Sequence, residues 1–77
     1  MEAIRVYPDI CEPATAARFI GAKVAQLHKA AKDLGPGIRL TGKGGRTATY
    51  IGKHPDPDYL MDSWWRIAEP AAQEVAR

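Results

Sequence analysis

The chain has a single cysteine, Cys11, and only two histidines, His28 and His54, which stand far apart. One thiol closes no internal disulfide, and two isolated histidines without clustered cysteines lack the ligand spacing of a zinc site. Neither a metal nor any other cofactor is expected. No apolar run approaches the roughly 20 residues that span a bilayer, and Met1-Glu2-Ala3-Ile4-Arg5 lacks the basic-then-apolar pattern of a secretory signal. A cytoplasmic protein without a membrane partner is the expectation. The elements of catalysis are missing as well. Gly42-Lys43-Gly44-Gly45 does not have the spacing of a phosphate-cradling loop, no nucleophile elbow occurs, and Cys11 with His28 has no third group to orient it. An enzyme, and with it a small-molecule substrate, is not expected.

What is present is 77 residues, enough for one domain with a small core. A hydrophobic share of 45% without a long polar tract argues for folding over disorder. The net charge is only +2, yet the charges are unevenly spread. Residues 18–54 hold eight basic side chains (Arg18, Lys23, Lys29, Lys32, Arg39, Lys43, Arg46 and Lys53) against Asp33 alone, a net +7. Residues 1–17 carry −2 and residues 55–77 carry −3. A cationic middle between acidic ends is the distribution expected of a domain that meets phosphate with one face. The competing interpretation is a lysine-rich surface that serves solubility alone.

Local pattern predicts an α+β chain. Ile4 and Val6 alternate with polar neighbours, which predicts a short strand over 3–7 that Pro8-Asp9 ends. Pro13 suits the first turn of a helix that runs to Ile20, and Gly21 interrupts it. A second helix is expected over 23–34, with Leu27, Ala30, Ala31 and Leu34 on one face, until Gly35-Pro36-Gly37 stops it. Residues 38–40 and 47–51 are β-prone and flank a glycine-rich turn, which predicts a hairpin with a basic tip. Asp56-Pro57-Asp58 offers a cap, a first-turn proline and a favourable acid, so a closing helix is expected over 56–69, with Leu60 and Trp64 inward. On that helix the adjacent Trp65 points about 100° away from Trp64, which makes Trp65 a candidate anchor for a protein partner. Pro70 either kinks this helix or starts a short one in the tail 70–77.

In Glu12-Pro13-Ala14-Thr15-Ala16-Ala17-Arg18-Phe19-Ile20-Gly21, the alanine pair followed by two apolar residues and glycine resembles the opening helix and turn of excisionase and MerR-type domains. Residues 35–51, with Lys43 and Arg46 at the tip, resemble their wing. Tyr59-Leu60-Met61-Asp62-Ser63-Trp64-Trp65 resembles their closing helix. The likeness covers residues 12–66 and implies a winged helix-turn-helix: a short N-terminal strand, a helix-turn-helix unit over 12–34, a wing over 36–53 and a C-terminal helix over 56–69. Ala17 is then the small residue at the helix crossing, Gly21 the turn and Leu27 the buried anchor.

The resemblance further implies a small sequence-specific protein that binds double-stranded DNA, acts in excision or transcription, and sits on the nucleoid as a homodimer or cooperative oligomer. The second helix would enter the major groove, with Gln26 and His28 at base edges, Val24 on a thymine methyl, and Lys23, Lys29 and Lys32 on phosphate or guanine. Arg39, Lys43 and Arg46 would follow the backbone or the minor groove from the wing. The contrasting expectation for Gln26 and His28 is a solvated helix face. The contrasting function is a protein inhibitor or adaptor that docks through an acidic C-terminal helix and Trp65.

Overall fold

The computed structural model describes residues 8–70. Pro13 opens α1 (Pro13–Ile20), where its missing N–H is one that no intrahelical acceptor would have met. Gly21 ends it in the left-handed region, at φ 74°. The Gly21 and Ala22 amides close back onto the Arg18 and Ala17 carbonyls, which satisfies the last turn. α2 (Val24–Leu34) starts two residues later. Its entry is fixed by the Gln26 side chain, whose Oε1 accepts the Lys23 N–H at 2.9 Å. Gly35 donates to the Ala31 carbonyl and closes the helix before Pro36.

Four strands form one antiparallel sheet in the order β1-β4-β3-β2: β1 (Ile10–Cys11), β2 (Arg39–Thr41), β3 (Thr47–Gly52) and β4 (Trp64–Ala68). β2 and β3 are the expected hairpin, joined by a 3-10 turn over Lys43–Gly45. β4 inserts between β3 and β1, with Tyr50 opposite Trp65, Ala48 opposite Ile67 and Cys11 opposite Trp65. Those inward positions of the sheet meet Ala16, Ala17 and Ile20 of α1 and Leu27 of α2 in one core. Ala16 and Ala17 are the small residues that let the α1 backbone approach so closely.

β4 replaces the closing helix expected over 56–69, and with it the winged helix-turn-helix architecture falls. The chain is an α+β domain of two helices and a four-stranded antiparallel sheet over the described residues. The reason lies in the residues. Asp56 and Pro57 make a turn instead of a helix start: Asp58 N–H meets Asp56 Oδ1, and Tyr59 N–H meets the Asp56 carbonyl. Trp64-Trp65-Arg66-Ile67 then alternates with period two, and pairing on both edges outweighs the capping signal. Trp65, expected at the surface as a partner anchor, is 1% exposed at the centre of the core and packs its ring 5.2 Å from that of Tyr50. Trp64 faces the other side of the sheet. The expected strand over 3–7 and the tail after Pro70 lie outside the described residues; β1 begins after the Pro8-Asp9 break.

Candidate nucleic-acid interface

The hairpin tip is built onto α1 rather than held away from it. A Cβ at Gly42 would stand 2.2 Å from the Ile20 carbonyl oxygen, so only glycine fits this approach. The stem of Lys43 lies over Gly21. Arg46 places its guanidinium 4.7 Å from the centre of the Phe19 ring, donates from Nη1 to the Phe19 carbonyl, and pairs through Nε with Glu69 at 3.3 Å. Arg46, expected to contact DNA, therefore clamps α1 to the start of β3 and the end of β4. The glycines of this turn serve close packing as well as curvature, and the tip is no free-standing wing.

Seating the tip on α1 brings β2 and the turn alongside α2. An open groove of about 900 Å³ runs between them, and Gln26 and Lys29 from the helix line it together with Arg39 and Lys43 from the hairpin. These four expected contact residues share one side of the molecule. Val24 and His28 do not join them. They line a smaller depression of about 300 Å³ on the other flank of α2, with Glu12, Pro13, Met61 and Ser63. Lys23 and Lys32 are exposed at the start and in the last turn of the helix. Gln26 has a second role that the sequence pattern did not reveal, although a glutamine three residues after a helix cap is its signal. With its oxygen turned to the Lys23 amide, a two-bond contact to adenine would require the cap to open.

Ion pairing divides the charges further. Lys29 pairs with Asp33 at 2.9 Å, Arg46 with Glu69 at 3.3 Å and Arg66 with Asp9 at 3.1 Å. Among the described residues, Arg18, Lys23, Lys32, Arg39, Lys43 and Lys53 have no acidic partner, and Glu12, Asp56, Asp58 and Asp62 have no basic one. The three aspartates belong to the loop between β3 and β4. Because β3 runs away from the 42–46 turn and β4 runs back to it, this loop sits at the opposite end of the sheet from Lys43.

The same loop holds an aromatic cluster. His54 is 8% exposed, stacks on Tyr59 at 4.1 Å, and meets Trp64 at 4.7 Å nearly edge-on. Its Nδ1 accepts the Asp56 N–H, which puts the proton of the neutral ring on Nε2. Cys11, in the outer strand β1, is half-buried. Burial pushes its thiol pKa up, and the neighbouring Glu12 and Asp9 carboxylates push in the same direction. No described helix is long and apolar enough to cross a membrane.

Comparison with protein-family models, with curated proteins and with solved structures gives no significant match.

Proposed function

We propose that the protein binds double-stranded DNA through α2 and the adjoining β2 and turn. The observation that carries this reading is the segregation of unpaired charge. Lys23, Lys32, Arg39 and Lys43 have no acidic partner among the described residues and belong to α2, its cap and the hairpin beside it, whereas the three unpaired aspartates gather in the far loop, with Lys53 as the unpaired cation there. Unpaired cations on neighbouring elements bind phosphate by releasing condensed counterions. α2, with 11 residues, is about 16 Å long, and an α-helix fits the width of the major groove. Lys23 and Lys32 then reach the flanking phosphates, and His28, on the flank of α2 away from the hairpin, takes no part in this contact. Lys43, its stem resting on Gly21, contacts the backbone beside the groove instead of entering the minor groove.

Titration against a random-sequence duplex at a series of salt concentrations tests the proposal. Four phosphate contacts give a slope of log K against log salt of about −3 to −4. Absence of binding at low salt overturns it. The adaptor alternative loses Trp65 as its anchor, since Trp65 is buried and the expected acidic helix is replaced by a loop and strand.

A further inference from the structure

The loop between β3 and β4 leaves apolar side chains in solvent. Leu60 is 87% exposed and Tyr59 and Met61 are 48% and 40% exposed, with Asp58 and Asp62 on either side and no cation paired to them among the described residues. The groove between α2 and β2 has the complementary character. Ala30, Leu40 and the 64% exposed Leu34 supply its apolar lining, and Arg39 and Lys43 border it without acidic partners.

β2 is also an edge of the sheet. The Tyr50 amide donates to the Ile38 carbonyl and the Gly42 amide to the Arg46 carbonyl, so within β2 it is Leu40, opposite Ala48, that turns its backbone groups toward β3. By the alternation of an antiparallel ladder, the N–H and C=O of Arg39 and Thr41 point outward, away from any strand. An edge with open ladder groups beside an apolar groove accepts an extended segment.

We infer that the segment is the loop of a second copy of this chain, with residues 58–62 laid along β2. Leu60 enters between Leu34 and Leu40, and Asp58 and Asp62 approach Arg39 and Lys43. Charge selects this occupant over a symmetric pairing of two β2 edges. Edge-to-edge pairing brings Arg39 and Lys43 of both copies into one interface, where like charges repel; the loop neutralises them. Loop and groove are different surfaces, so the contact is head to tail, and repetition builds an open row of copies. The inference stands apart from the DNA reading, although phosphate and the loop compete for the same two cations.

Sedimentation of the full chain without nucleic acid, from about 10 µM to about 1 mM, is the test. The wild type gains mass with concentration, less so at high salt. L60K and L34K change exposed positions, and a far-UV spectrum verifies that both fold. Each alone associates at least ten-fold more weakly. Mixed in equal amounts, they form a 1:1 pair that grows no further, because each brings the intact surface that the other lacks. A wild type that stays monomeric, a variant that assembles like wild type, or a mixture that stays monomeric overturns the inference.

Discussion

Gly42 and Arg46 hold the hairpin to α1 by different means, and substitutions separate those means from DNA contact. Gly42→Ala forces a methyl group against the Ile20 carbonyl and Cβ, both inside contact distance. Overpacking of this kind costs about 2–3 kcal/mol, a drop in Tm of roughly 10 °C or more for a domain this small. Arg46→Ala removes a cation–π contact, a bond to the Phe19 carbonyl and a solvent-screened ion pair whose partners are 39% and 63% exposed. The expected loss is about 1–2 kcal/mol, with little of it from the ion pair. Arg46→Lys does not restore it, since a point ammonium lacks the planar face that lies over Phe19. Lys43→Ala behaves oppositely: Tm holds, while the salt slope of DNA binding flattens by about one unit. A flattened slope for Arg46→Ala in thermally intact protein would reject the clamp. Cys11 adds a pH signature. Its raised pKa keeps the thiol protonated at neutral pH, so alkylation of the folded protein lags behind that of the denatured chain. By linkage, the stability held by the protonated thiol is complete below the ordinary thiol range and is lost as pH rises through the folded-state pKa. Equal alkylation rates, followed by mass spectrometry at about pH 8, would contradict this.

At the scale of elements, the strand in place of the closing helix reverses which residues matter. A helix over 56–69 makes Leu60 a core position. In the sheet, Leu60 is 87% exposed and Trp65 is 1% exposed. Leu60→Lys in dilute protein therefore changes stability by less than about 0.5 kcal/mol, whereas Trp65→Ala costs about 3–5 kcal/mol; chemical denaturation measures both, and the opposite ranking would restore the helix. The two helices and the hairpin were legible because their signals are local: Pro13 and Gly21 bracket α1, Gly35-Pro36-Gly37 stops α2, and β-prone runs flank a glycine turn. β4 was not legible, because Asp56-Pro57-Asp58 is an equally good helix start and turn. What decides between them is pairing of Trp65 with Tyr50 and Cys11, contacts between segments distant in sequence. The face of α2 was legible only in part. Leu27 was identified as its anchor, but the split of Gln26 and Lys29 from Val24 and His28 depends on where β2 and the loop come to rest.

For the whole molecule, the cationic segment seen in the sequence overstates the surface available to phosphate. Of its eight basic residues, Lys29 and Arg46 are paired with acids in the structure, and Lys53 follows β3 into the loop with the unpaired aspartates. Replacing Lys23, Lys32 and Lys43 together by Ala should therefore abolish most of the salt dependence, reducing the slope by about three units. The same triple change at Lys29, Arg46 and Lys53 should remove much less, although it subtracts the same formal charge. Net charge alone, acting as a diffuse field, would weaken binding equally in the two variants. Comparing their salt slopes on one random-sequence duplex, with protein dilute enough to stay monomeric, distinguishes a built surface from a merely basic protein. Equal slopes would leave only the field.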